Sequence, residues 1–416
     1  MKKTLILGFG ITGKSVAAYF ESQNLPFLVA DKKSINIPQA IRDDVDIDFD
    51  EIEKIIVSPG INLTHPLLIK AKKADVKIYS EIEFAVSQLI NPMIGITGTN
   101  GKTTLTLLLT HLFNRANIPA KALGNVGISL TTYLSNIRND DVLFIELSSF
   151  QLELLTKPFL DMAVITNLSD DHLDRYQNLH EYIQAKANIQ YCLKDSGKLI
   201  MDEATYEIFS KDVPKKRVLF VNESIANAHL DFKELSQKSL IGQSLLEIAY
   251  CVSLFYDLSK EVFISAVLTF KKPRHRLEYV DTIQSKAFYN DSKATNIASV
   301  VYAVSQIDKK IVLIAGGEDK KFDFTTFNLF KDKVTYIIAI GKTAKKIASQ
   351  VNAIPVIEEE TMQSAISKAF EMAKINEIIL LSPGCSSYDM FNNYEHRGES
   401  FCEAVRQLKH EVQNNG

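Results

Sequence analysis

The sequence predicts an α/β protein of three domains, the outer two Rossmann-like and the central one built around a phosphate-binding loop. Apolar strand patterns end repeatedly in Gly, Pro or Asp loops, and two glycine-rich loops each stand between a strand and a helix. A length of 416 residues also favours about three domains over one.

In the first domain, expected over 1–91, Thr4–Gly8 reads as a buried strand and Lys14–Ser22 as a helix. Phe27–Ala30 and Ile55–Val57 read as further strands. Loop signals follow each strand: Gly8-Phe9-Gly10, Asp31-Lys32-Lys33 and Ser58-Pro59-Gly60. The second domain, expected over 92–271, opens near Met93 with a strand, a loop and a helix. Strands at Val142–Glu146 and Met162–Thr166 follow, then helical stretches near Leu179–Cys192 and Leu245–Leu258. Pro273 after Lys271-Lys272 marks the boundary to the third domain, 272–416. There Phe288–Asn290, Ile311–Ala315, Tyr336–Ile340 and Ile378–Leu381 read as strands separated by helices. Ser-Pro-Gly ends a strand twice, at 58–60 and 382–384, and ligands of open α/β sheets bind at such strand ends.

Composition excludes several classes. With 46% hydrophobic and 23% charged residues the chain can bury several ordinary cores. A formal charge of −3 provides no basic field for nucleic acid. Cys192, Cys251, Cys385 and Cys402 lack close pairing, which suits a reducing compartment and gives no thiolate metal site. Lys2-Lys3 before Leu5-Ile6-Leu7 imitates a signal peptide, but Gly8, Gly10, Gly13 and Lys14 cut the apolar stretch short. No run of about 18 apolar residues could span a membrane. A cytoplasmic monomer with neither membrane nor nucleic-acid partner is expected.

Gly8-x-Gly10-x-x-Gly13 with Asp31 beyond satisfies the dinucleotide fingerprint in its strand–turn–helix setting. The geometry accepts any diphosphate, so a nicotinamide cofactor and a UDP-sugar both remain open. The second loop reads Gly95-Ile-Thr-Gly98-Thr99-Asn100-Gly101-Lys102-Thr103-Thr104. Its backbone N–H groups, the following helix N-terminus and Lys102 can hold nucleotide phosphates, and the Thr103 hydroxyl can reach Mg²⁺. It departs from standard Walker spacing, with Ile96 at the first glycine position.

Glu146 ends an apolar strand, where a carboxylate can hold a nucleotide's Mg²⁺ or simply face solvent. His172 stands among Asp170, Asp171 and Asp174 after another strand, which points equally to metal or phosphate work and to a structural role. Lys186 alone would pass as an exposed helix lysine. Asn290–Asn296 is a dense polar cluster that suits a ligand loop or a helix cap. Cys385, with no identifiable His or Asp partner, reads as structural.

These residues, in this order, resemble the Mur ligase family across essentially the whole chain. The discriminating stretches are Gly98–Thr104, Glu146–Glu153, Asp171–Tyr176, Pro273–Glu278, Asn290–Asn296 and Ser382–Asp389. Members are three-domain, ATP-dependent amide-forming enzymes of peptidoglycan synthesis, and so serve cell-wall biogenesis, cell shape and division. The match looks like the branch that adds D-glutamate to UDP-N-acetylmuramoyl-L-alanine. The alanine-adding branch carries a His in its phosphate loop where this chain has Asn100, and the branch adding the third residue lacks this N-terminal fingerprint domain.

The resemblance implies a role for each residue. Gly98, Thr99, Asn100, Gly101, Lys102, Thr103 and Thr104 would bind ATP, with Arg276 and Asp291 completing its site. Thr103 and Glu146 would hold one Mg²⁺, and His172 and Lys186 a second, the lysine carrying a CO₂-derived carbamate. Lys102, Glu146, His172 and Lys186 would be catalytic. Thr12, Gly13, Asp31, Ser58, Pro59 and Gly60 would receive the UDP portion, with Asn125 near the muramoyl end. Thr295, Lys320, Ser387, Tyr388 and Tyr394 would line the D-glutamate pocket. The chain departs from the family at Gly242–Glu247, where a His-Asn-x-x-Asn sequence commonly opens the helix contacting adenine.

Overall fold

The computed structural model describes residues 2–33, 36–169, 176, 178–209 and 217–414. It carries three sheets, one per α/β domain, and two compact units. The first unit takes in the described residues of Met1–Leu168, Asn178–Leu235 and Gln243–Phe270, with two of the sheets. The second takes in the described residues of Ser169–Gln177, Ser236–Gly242 and Lys271–Gly416, with the third sheet.

The first sheet is built from β1 (Lys3–Leu7), β2 (Phe27–Asp31), β3 (Ala40–Arg42), β4 (Ile52–Val57) and β5 (Lys77–Ser80), in the order β3-β2-β1-β4-β5. All pairings are parallel, and alternate residues of a strand enter opposite cores. Leu5, Leu7, Ile55 and Val57 pack on helix Pro66–Lys73 on one face. Ile6, Val29 and Ile56 pack on helix Ile11–Ser22 on the other. Strands β3 and β5 escape a sequence reading because Ala40-Ile41-Arg42 and Lys77-Ile78-Tyr79 carry little apolar signal at a sheet edge.

The second sheet uses β6 (Met93–Thr97), β7 (Ala120–Gly124), β8 (Val142–Glu146), β9 (Leu160–Ile165), β10 (Leu193–Met201) and β11 (Val218–Phe220), ordered β11-β10-β9-β6-β8-β7. Strand β6 is buried along its whole length between β8 and β9, so its C-terminal loop emerges at the centre of the sheet. The helix expected as far as Cys192 ends at Ala187. A 3-10 turn, Asn188–Cys192, then delivers the chain to β10, which pairs with β9.

The third sheet comprises β12 (Glu278–Ile283), β13 (Lys286–Asn290), β14 (Ile311–Gly316), β15 (Val334–Ile340), β16 (Val356–Glu359) and β17 (Ile378–Leu381), ordered β12-β13-β17-β14-β15-β16. Only the β12–β13 hairpin is antiparallel. Leu313, Ala315, Ile337 and Leu380 face helices Ile297–Ser305 and Ala344–Gln350. Val312, Ile314, Ile338 and Leu381 face helices Met362–Met372 and Tyr394–Asn414. Helices on both faces make this a doubly wound domain, as expected. Because β13, β17 and β14 are adjacent and parallel, the loops at 291–296, 382–388 and 317–320 share one edge.

No helix among the described residues is long and apolar enough to cross a membrane.

Candidate functional site

The mid-chain loop is shaped by two obligatory glycines. Gly98 has φ +141°, and a Cβ there would lie 1.9 Å from Thr166 Oγ1; Gly101 has φ +84°, with Leu245 Cδ2 2.7 Å from its Cβ position. The end of β9 braces the loop from beneath. Thr99 N donates to Asn167 O at 2.9 Å, Asn100 N to Asn167 Oδ1 at 3.0 Å, and Thr166 Oγ1 to Asn100 O at 2.6 Å. Helix Lys102–Arg115 then starts at Gly101, which has no side chain to cap the first turn. The positive end of its dipole there suits an anion. Thr103 and the buried Thr104 belong to that first turn.

Two lysines meet on this loop. Lys102 Nζ donates to the carbonyls of Gly98 and Thr99, both at 2.8 Å, and Lys186 Nζ donates to Gly98 O at 2.7 Å. Lys186 is 1% exposed and its amine lies 4.6 Å from the centre of the Tyr182 ring. The reading of an ordinary exposed helix lysine is thus wrong, because helix Leu179–Ala187 turns this face toward the loop. Tyr182 OH also reaches Thr99 Oγ1 at 3.3 Å.

Glu146 ends β8 beside β6, with Ile96 opposite it. On the other side Asn125 N donates to Glu146 O at 3.0 Å, and Asn125 Nδ2 donates to Glu146 Oε1 at 2.8 Å. Glu146 is 1% exposed and its Oε2 is buried without a hydrogen-bond partner. A buried carboxylate oxygen left open costs free energy unless a cation or donor occupies it, so this residue fits a divalent cation at the phosphate loop. No cluster of three or more His, Cys, Asp and Glu able to hold a metal occurs among the described residues. His172 lies outside the described residues.

The N-terminal loop is equally constrained. Gly8 has φ +90°, and a Cβ on Gly13 would meet Gly8 O at 2.0 Å. Asp31 ends β2 and receives Phe9 N at 2.6 Å on Oδ2 and Lys33 N at 2.8 Å on Oδ1, so it also pins the glycine turn. Ser58 Oγ donates to Gly8 O at 2.9 Å, placing the Ser58-Pro59-Gly60 turn against that loop. Thr12 lies in the first turn of the following helix, where its carbonyl accepts from Ser15 Oγ at 2.7 Å.

In the second unit, Asp291 is held at the 274–278 turn. Leu277 N donates to its Oδ1 at 3.1 Å and Ser382 Oγ to its Oδ2 at 2.9 Å. Burial pushes its carboxyl up to about 7, against the opposing effects of the Ser382 and Leu277 hydrogen bonds and the charges of Arg276 and Lys272. Of the residues expected at the amino-acid pocket, Thr295, Ser387, Tyr388 and Lys320 lie on the three loops of the shared sheet edge. Gly384 N donates to Ala294 O at 2.9 Å, and Glu318 N to Ser386 O at 2.9 Å, so these loops are tied to one another. Tyr394 opens the last helix, and Lys293 Nζ sits 3.8 Å from its ring centre. Cys385 is fully buried and burial pushes its thiol up to about 11, consistent with a structural cysteine.

Sequence reasoning missed Thr166, Asn167 and Tyr182, which brace the loop, and Arg397, which lies beneath the 291–296 and 382–388 loops. Thr166-Asn167 had a signal, since it is the polar pair ending the strand next to β6. Arg397 had none.

Comparison with known proteins gives a consistent result along the chain. The model described as Mur ligase MurD-like, N-terminal domain matches residues 2–80. Mur ligase middle domain matches 96–250, and Mur ligase, glutamate ligase domain matches 275–385. The chain is 35% identical to the UDP-N-acetylmuramoylalanine–D-glutamate ligase of Protochlamydia amoebophila (strain UWE25), covering 98% of both chains. It is 32% identical to the enzyme of that name from Clostridioides difficile (strain 630), covering 98% of this chain and 99% of the other. MurF ligase from Thermotoga maritima, solved in complex with ADP, superposes with a TM-score of 0.61 at 13% identity, covering 100% of this chain and 96% of that one. A pseudomurein peptide ligase type C from Methanothermus fervidus gives 0.60 at 16%, covering 98% and 100%. At such identities the two structures show a shared fold, while the full-length relatives show descent. The chain belongs to the Mur ligase family.

Proposed function

We propose that this protein is the ATP-dependent ligase that adds D-glutamate to UDP-N-acetylmuramoyl-L-alanine, in cytoplasmic synthesis of peptidoglycan precursors. The observation that carries the reading is the open, buried Glu146 Oε2 beside the Lys102 phosphate loop. That arrangement suits activation of a carboxylate by phosphate transfer, with no protein nucleophile required.

A carboxylate oxygen is a poor leaving group, so amide formation needs activation. The substrate's L-alanyl carboxylate attacks the ATP γ-phosphorus, giving an acyl phosphate and ADP. The D-glutamate amine then attacks the acyl carbon, loses a proton, and phosphate leaves with the C–O bonding pair. The first step brings two anions together. At ~4 Å and an effective dielectric near 20, each pair of unit charges repels by roughly 4 kcal/mol. Lys102 and the N-terminal N–H groups of helix Lys102–Arg115 are proposed to offset this by holding the phosphates. Thr103, Glu146, His172 and Lys186 are proposed to hold Mg²⁺ at two sites, which would neutralise the phosphates and the incoming carboxylate. A carbamate on Lys186 would turn its buried amine into a carboxylate-like ligand.

Other residues bind and orient. Thr12, Gly13, Asp31 and Ser58-Pro59-Gly60 are proposed to hold the UDP portion, for which the Gly8–Gly13 turn leaves the backbone accessible. Asn125, through its bond to Glu146, would place the muramoyl end. Arg276 and Asp291 are proposed for ATP, and Thr295, Lys320, Ser387, Tyr388 and Tyr394 for D-glutamate.

Phosphate release measured with UDP-N-acetylmuramoyl-L-alanine and ATP across D-glutamate, L-alanine, diaminopimelate and L-lysine tests the assignment. Release with D-glutamate alone is expected. Release that ignores the amino acid, or needs a different one, contradicts the assignment.

A further inference from the structure

Among the described residues Arg397 is the largest fully buried side chain, 1% exposed. Its guanidinium makes three hydrogen bonds, all to neutral acceptors. Nε donates to Ser292 Oγ at 3.0 Å, Nη2 to Ser292 O at 2.8 Å, and Nη1 to Cys385 O at 3.0 Å. Ser292 Oγ in turn donates to Tyr394 O at 2.8 Å. The Gly317 loop closes on the same point: a Cβ there would stand 3.3 Å from Arg397 Nη1 and 2.3 Å from Ser386 O. One side chain thus underlies the loops at 291–296, 317–320 and 382–388 and the start of the last helix.

The charge is costly where it stands. Burial lowers the Arg397 pKa to about 10. The residue also sits in the first turn of helix Tyr394–Asn414, where the helix dipole disfavours a cation. No carboxylate pairs with it within 4 Å among the described residues; Asp389 and Asp291 act on it only at longer range. This buried charge, with no carboxylate paired to it, lies beneath the residues proposed for an amino acid with two carboxylates.

We infer that Arg397 is a specificity-determining positioning residue: its buried charge, without touching the substrate, gives the pocket a positive field that selects a dicarboxylate amino acid. This rests on the D-glutamate reading above.

The test uses the full-length enzyme with all three substrates. Arg397→Met is expected to raise KM for D-glutamate at least about tenfold, with KM for ATP within about twofold. Arg397→Lys, which keeps the charge but cannot span three acceptors, is expected to return KM for D-glutamate to within about threefold of wild type. An unchanged KM in the Met variant overturns the inference. So does a Lys variant as impaired as the Met one, since the hydrogen bonds would then be what matters.

Should Arg397→Met not fold, Asp389→Asn provides a second measurement. Removing the carboxylate that opposes the field is expected to lower KM for D-glutamate about two- to threefold, and an unchanged or raised KM contradicts the inference. A wild-type enzyme that uses a different amino acid refutes the D-glutamate reading itself. A D-glutamate-specific wild type with indifferent variants refutes only the role of Arg397.

Discussion

Asn125 Nδ2 donates to Glu146 Oε1 at 2.8 Å and leaves Glu146 Oε2 buried and open. The amide fixes the carboxylate's orientation, and the open oxygen is the one left to serve a cation. Asn125→Ala is expected to raise the half-saturating Mg²⁺ concentration for activity by about 10–100-fold. Glu146→Gln, which keeps size but removes charge, should lower kcat by at least about 100-fold, with a melting temperature without metal no lower than that of wild type. A Gln variant with wild-type kcat removes Glu146 from the chemistry.

Gly98 admits no side chain, because a Cβ would fall 1.9 Å from Thr166 Oγ1 at a φ of +141°. Gly98→Ala should cost about 2–4 kcal/mol in stability or displace the loop, and ATP binding should fall with it. Thermal unfolding with calorimetric ATP titration reads both. Thr166→Ala combined with Gly98→Ala should recover part of the stability, since it removes the clashing hydroxyl but not the backbone strain.

Cys385 is buried within the Ser382–Asp389 stretch, and burial pushes its thiol up to about 11. At pH 8 only about one thiol in a thousand is then ionised. Iodoacetamide should leave Cys385 unlabelled and activity intact in the folded enzyme, and label it after denaturation. Rapid labelling with loss of activity would assign it a reactive role.

The Asp291 carboxyl, pushed up to about 7 by burial, holds its proton in the folded chain at pH values where the unfolded chain has released it. Its contribution to stability is therefore fully present below about pH 4 and is lost as pH rises through about 7. Melting temperatures of wild type and Asp291→Asn should diverge across that window. The wild type should lose ground to the Asn variant as pH rises. Parallel curves from pH 4 to 8 contradict the assignment.

Much of this was legible from local signals. Both glycine loops have short, forced geometries, and the expected strands ended in the polar residues that the structure places at sheet edges. Strands β3, β5, β7, β10, β11, β12 and β16 were not read, because several lie at sheet edges or pair over only a few residues. Leu193–Met201 even carries Gly197 within it. At the site, Lys186 looked like a surface lysine because its burial depends on how one helix packs on a distant loop. The Thr166–Asn167 brace and Arg397 depend on contacts across the sheet edge, which local spacing does not encode.

The proposed reaction passes through an acyl phosphate formed from the substrate carboxylate. UDP-N-acetylmuramoyl-L-alanine labelled with ¹⁸O in its alanyl carboxylate, turned over with ATP and D-glutamate, tests this most directly by mass spectrometry of the phosphate released. One ¹⁸O is expected in each inorganic phosphate formed. Phosphate free of label, with amide still produced, would contradict it.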